Sequence, residues 1–173
     1  MITPLYARAM AAYNSEMNRR LYAAAARIPD ATRREDGGLF WGSLHRTLCH
    51  LMWADEMWMS RFDGWIKPTV PLKESGRLFE RFDDLAAARA VADRKIEAWT
   101  YRLTPQDIAR PCVWFSGATN SERTAPMGLL ITHFFNHQTH HRGQAHALIT
   151  RAGDDVGDTD LFLVVPEEIF DPI

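Results

Sequence analysis

The stretch His133-Phe-Phe-Asn-His137-Gln-Thr-His140-His141-Arg-Gly-Gln-Ala-His146 holds five of the chain's seven histidines. It lies in a run punctuated as one long helix, with Thr124 as the expected cap, Pro126 inside the first turn and Gly153 as the stop. At about 100° per residue, with His137 as zero, His133 falls near about −40°, His140 near about −60°, Gln144 near about −20° and His141 near about +40°. These side chains share one face. His146 falls near about 180° and reads as a surface or interface histidine.

Residues four apart on a helix stack one above the other, so an HxxxH pair can aim two imidazole nitrogens at one ion. His137 with His141 is such a pair and so is His133 with His137, and the helical wheel does not choose between them. A divalent ion needs at least a third ligand, which in a helical bundle projects from a facing helix. His50 answers that need, because it sits among Leu48, Leu51 and Trp53, where an ionisable group requires a strong partner. His45 lies about 140° away around the same helix and is the weaker candidate. One histidine on an apolar face is ordinarily a hydrogen-bonded core residue, and a polar stripe can serve a helix–helix interface. The paired motif, the further stripe histidines and His50 together favour a bound divalent metal.

Outward from this segment the chain supplies three more helices. Tyr6, Met10, Tyr13, Met17 and Leu21 recur at helical spacing between Pro4 and about Ile28. A second helix opens at Gly42 or Ser43 and ends near Phe62, before Asp63 and Gly64. A third is expected from Arg77 to Tyr101, with Leu78, Phe82, Leu85, Ala92, Ile96 and Trp99 facing inward and Thr104-Pro105 closing it. Val113-Trp114-Phe115 followed by turn formers from Ser116 to Asn120 suggests a small hairpin. Leu161 to Val165 is expected as an edge strand or an extended segment, and the Pro-interrupted end as a dimer contact.

At 173 residues, 46% hydrophobic and 24% charged, the chain is expected to form a single domain, residues 1–173, with an all-α four-helix architecture. A net charge of −2 without a basic stripe excludes nucleic acid as a natural partner. Cys49 and Cys112 have no CxxC partner, which argues against a disulfide framework or thiolate zinc site and for a reducing cytoplasm. Met1 is followed by Ile2, Thr3 and Pro4 rather than a basic leader, and no run approaches the roughly 20 apolar residues of a membrane span. A secreted or membrane-spanning protein is therefore not expected.

The segment Asn136-His-Gln-Thr-His-His-Arg-Gly-Gln144 resembles the last-helix motif of the DinB/YfiT-like metal-binding proteins. Tyr13-Asn14 with Asn18, and Leu48-Cys-His-Leu-Met-Trp-Ala-Asp-Glu-Met-Trp58, extend the resemblance over almost the whole chain. It implies a four-helix bundle of up-down-down-up topology, commonly a homodimer. It also implies a divalent ion held by one histidine of the second helix and two of the fourth, which here are His50, His137 and His141. Members with an assigned activity resemble transferases or isomerases that use a low-molecular-weight thiol such as bacillithiol or mycothiol.

Three neutral imidazoles leave a coordination position open, the pattern of a catalytic rather than a structural site. A metal-dependent thiol S-transferase acting on a small molecule is the expected function; the alternatives are a hydrolase and a non-enzymatic, stress-associated metal binder. Nitrogen ligands suit zinc, nickel or iron. Gln144 is the expected orienter of a ligand imidazole. Asn14 and Asn18 are candidates to line the site, and Trp53 and Met57 to wall a pocket. Arg142 is expected in a salt bridge or dimer interface, and Asp55 and Glu56 point off the His50 face, leaving no general-base carboxylate.

Overall fold

Seven α-helices and a two-stranded hairpin make up the described part of the computed structural model, which covers residues 2–117 and 119–169. Met1, Ala118 in the expected Ser116–Asn120 turn, and residues 170–173, including Pro172 of the Pro-interrupted end, lie outside it. Four helices are long: α1 (Pro4–Arg27), α3 (Leu44–Phe62), α4 (Phe82–Arg102) and α6 (Met127–Arg151). Three are short: α2 (Asp30–Arg34), α5 (Pro105–Ala109) and α7 (Leu161–Val164). The long helices pack together, α1 against α4 and α6, and α3 against α6 and α4.

Local signals set the helix ends. Thr3 accepts from the Tyr6 amide and Pro4 occupies the first turn of α1, while Ser43 accepts from the Arg46 amide to open α3. Three expectations are corrected. Helix α4 starts at Phe82 instead of Arg77, because Leu72–Arg77 forms a 3-10 turn and Asp83 and Asp84 fill the first helical turn, where the dipole favours acidic groups. Thr124 is not a helix cap: it lies in β2 (Ser121–Pro126), which pairs antiparallel with β1 (Pro111–Ser116). Helix α6 begins only at Met127, whose amide donates to the Arg110 carbonyl in place of a side-chain cap. Leu161–Val165 is neither edge strand nor extended, since no strand lies beside it among the described residues; it closes the turn α7, with the Val165 amide on the Leu161 carbonyl, against α1.

Two apolar clusters fill the interior. One joins Leu21 of α1, Leu48 and Leu51 of α3, Leu85 of α4 and Ile149 of α6. The other joins Ala7 and Ala11, Met59 and Phe62, Ile96 and Trp99, and Ile131, Phe134 and Phe135 of the same helices. Between them lies a layer of buried polar groups. Arg89, 2% exposed, meets Asp55 Oδ2 at 2.5 Å and Asp93 Oδ1 at 2.8 Å, and Asn18 donates to Asp93 at 3.0 Å. Burial pushes the Asp55 carboxyl up to about 6, against the pull of Arg89.

Arg142 is also in this layer and not in a salt bridge. It donates to Asn14 Oδ1 and lies 3.4 Å from Gln138 Oε1, its guanidinium facing the Tyr13 ring. Asn14 and Asn18 therefore bridge helices and do not line the histidine site.

Removing Arg89 strands two buried carboxylates. Arg89→Met is expected to cost about 3–5 kcal/mol, whereas the triple replacement Asp55→Leu, Arg89→Met, Asp93→Leu should recover most of that loss. Urea unfolding at constant m-value measures both; a single-variant loss below about 1 kcal/mol would contradict the assignment.

Candidate metal centre

Helices α3 and α6 bring His50, His137 and His141 together, with one potential ligand nitrogen of each within 4.8 Å of the others. His50 Nδ1 lies 2.8 Å from Ser75 Oγ and His141 Nδ1 lies 2.7 Å from Gln144 Oε1. The tautomers that donate from Nδ1 leave Nε2 of both rings as a free lone pair. His50 Nε2 faces His137 Nε2 at 3.2 Å. An Nε2–H of His137 can donate to the His50 lone pair at that distance, and a cation can take the proton's place between the rings, so the donor set fits a metal ion.

Electrostatics favour the neutral ligand form. Burial, reinforced by the neighbouring imidazoles, pulls His50 and His137 down to about 3. Burial also lowers His141, and its bond to the Gln144 side-chain oxygen pulls it partly back.

The other histidines stand outside the trio. His133 continues the α6 stripe with its ring centroid 6.0 Å from His137, but its edge meets Trp58. His140 is exposed, lies edge-on to His141 at 4.9 Å and is 3.3 Å from the Gln144 amide nitrogen. His45 is buried against the Phe79 carbonyl at 2.9 Å. His146 is half-buried, on the opposite side of α6, near Tyr13 and Val156. Cys49 is not part of the trio, and burial pushes its thiol up to about 11.

Two further residues shape the site. Ser75 belongs to the Leu72–Arg77 turn, which reads in sequence as a polar connector. The turn comes close enough to orient His50 because Gly76 has no side chain: a Cβ there would stand 3.2 Å from Arg46 Cβ and 3.4 Å from the Arg46 carbonyl oxygen. Trp41 stacks on His50 with ring centroids 4.0 Å apart and 22° between planes. Its place follows from the tight turn over Leu39–Gly42, where Gly42 has φ of 82°. The aromatic pair Phe40-Trp41 before the helix cap was the available signal.

His50 and His137 of the trio line a cavity of about 1110 Å³. Trp53 and Met57 wall it, and the Trp53 indole N–H donates to the Val70 carbonyl at 2.7 Å, fixing the connector that closes one side. No carboxylate lines it among the described residues: Asp55 is turned into the polar layer.

A crystal structure of a DinB-like protein from Bacillus cereus ATCC 10987 has the same fold, with a TM-score of 0.63 and 21% sequence identity over 84% of this chain and 90% of that one. No curated protein matches the chain. The sequence model of the DinB family matches residues 1–168, and the chain belongs to that family.

Proposed function

We propose that this chain binds a divalent metal ion, zinc, nickel or iron, through His50, His137 and His141, and is a metal-dependent enzyme of the thiol S-transferase type acting on a small molecule. The observation that carries this reading is the convergence of three neutral imidazoles, two of which line a large cavity. When bound, such an ion supplies an open Lewis-acid position at which a low-molecular-weight thiol loses its proton near neutral pH.

The chain's own residues do the rest. Ser75 and Gln144 fix the rings of His50 and His141. Trp41 covers one face of His50 and keeps water from it, while Trp53, Met57 and Trp58 offer apolar surface to the substrate body. A hydrolase that relied on a carboxylate base would find none among the described residues of the cavity lining. A thiol brings its own nucleophile. A purely storage role would be served by a closed shell, which the adjoining cavity disfavours.

The proposal includes an up-down-down-up bundle, supported by the way the starts of α1 and α6 share a cluster with the ends of α3 and α4. It extends to a homodimer in a reducing cytoplasm, without nucleic-acid or membrane partners. The exposed Phe162 and Leu163 offer contact surface, both cysteines are free, and no described helix is long and apolar enough to cross a membrane.

Metal titration of chelator-stripped protein tests the reading. One zinc or nickel ion per chain is expected, with affinity reduced at least about 100-fold in His50→Ala, His137→Ala and His141→Ala and nearly unchanged in His133→Ala and His146→Ala. Ser75→Ala and Gln144→Ala should weaken it about 10-fold or more. Absence of a stoichiometric ion in the unsubstituted protein rejects the proposal. A companion measurement is pH. Protons compete with metal as pH falls through each ligand's pKa, and His50 and His137 stay neutral down to about 3. Affinity is therefore expected to fall less than about 30-fold between roughly pH 7 and 5, where three ordinary imidazoles would lose on the order of 10⁴-fold.

A further inference from the structure

The cavity has an end remote from the histidine trio. His50, Ala54, Met57 and Arg61 recur at i, i+4, i+7 and i+11 on α3 and all line the cavity, so they form one stripe along its floor. Arg61 stands three turns from His50, about 16 Å along the helix axis. On the facing side His137 and His133 continue the wall along α6, and Trp114 of β1 completes it near Arg61.

The guanidinium of Arg61 is built into this end. Its Cζ lies 4.3 Å from the centroid of the Trp58 ring and 5.8 Å from that of Trp114, and the two indoles are 5.9 Å apart. The side chain is half-buried, and burial lowers its pKa from the ordinary arginine value without removing its charge at neutral pH. Among the described residues it forms no ion pair, unlike Arg89, which two carboxylates hold. The other lysine and arginine charges of the lining, Lys67 and Lys73, lie exposed on the connector. A cation withdrawn from water beside apolar walls loses solvation that an anion restores. The Trp58 ring occupies a face of the guanidinium, which leaves the in-plane N–H edge for a bidentate partner.

We propose that Arg61 anchors a carboxylate of the ligand, so that the substrate class is an elongated apolar or aromatic acid whose opposite end reaches the His50–His137 edge. The proposal rests on the reading of this cavity as the substrate chamber and not on which metal the histidines hold. The cavity volume of about 1110 Å³ accommodates a molecule of that size. The three indoles Trp53, Trp58 and Trp114 lining it supply both the stacking surface and a fluorescence reporter.

The test compares 6-phenylhexanoate with its uncharged counterpart 6-phenylhexanamide, by tryptophan fluorescence and calorimetry on chelator-stripped full-length protein. Without metal, a carboxylate preference cannot come from coordination to the histidines. Wild type is expected to bind the acid about tenfold more tightly than the amide. Arg61→Gln should abolish the difference while leaving the amide's affinity in place, and Arg61→Lys should keep part of it. Thermal unfolding of each variant checks that the fold is retained, and the amide's binding reports an intact chamber. Equal binding of both probes by wild type, no binding of either, a preference that survives Arg61→Gln, or one that instead disappears in Lys67→Gln/Lys73→Gln would each overturn the proposal. Metal titration of the same Arg61→Gln protein is expected to match wild type. A chain that binds no metal but keeps the carboxylate preference would overturn the metal reading and leave this one standing.

Discussion

Arg89, buried with Asp55 on one side and Asp93 on the other, constrains how the long helices of this bundle turn toward one another. Apolar side chains tolerate small rotations, because any hydrophobic surface of suitable volume will pack against another. A buried charge tolerates none: turning α3 by one residue would carry Asp55 away from Arg89 and leave a desolvated ion without a partner, a loss of several kcal/mol. The ion pairs tie α3 to α4, Asn18 ties α1 to Asp93, and Arg142 ties α6 to Asn14. The polar layer therefore registers all four long helices at the height where the two apolar clusters meet.

The histidine site depends on that registration. In α6 each candidate ligand is followed by a residue of the polar layer, His137 by Gln138 and His141 by Arg142. Adjacent residues on a helix diverge by about 100°, so holding Gln138 and Arg142 against the interior aims the two imidazoles toward α3. The same relation holds in α3, where His50 and Asp55 are about 140° apart: the helix cannot direct one at the cavity without directing the other at Arg89. This is why the cavity lacks an acidic base, although acidic residues lie close in sequence.

How much of this was legible in the chain follows from the range of the signals. Caps at Thr3 and Ser43, the apolar stripes and the i, i+4 histidine pair are local, and the long helices could be read from them to within a few residues. His50 could be nominated from its apolar neighbours, but periodicity alone did not choose between His133 and His141; the resemblance to the DinB family did. Composition alone does not show what a segment pairs with. Thr124 has the composition of a cap but pairs with Val113 across the hairpin, and Leu161–Val165 has strand composition but no strand to join. Asn14, Asn18 and Arg142 are polar and carry no local mark of their partners on other helices, and Ser75 lies 25 residues from the ring it orients.

Ser75 also shows why the connector between α3 and α4 is more than a link. The segment is held to α3 at two points, by Trp53 Nε1 on the Val70 carbonyl and by Ser75 on His50. It contributes Lys67 through Lys73 to the cavity wall and passes at Leu72 into the 3-10 turn that seats Gly76 against Arg46. One stretch of chain thus orients the ring of a candidate ligand and bounds the chamber beside it. A displacement large enough to widen the chamber would draw Ser75 from His50 Nδ1, freeing that ring to rotate and weakening the nitrogen set. Chamber shape and ligand orientation are therefore coupled through a single polar contact, which the apolar packing of α3 alone would not provide.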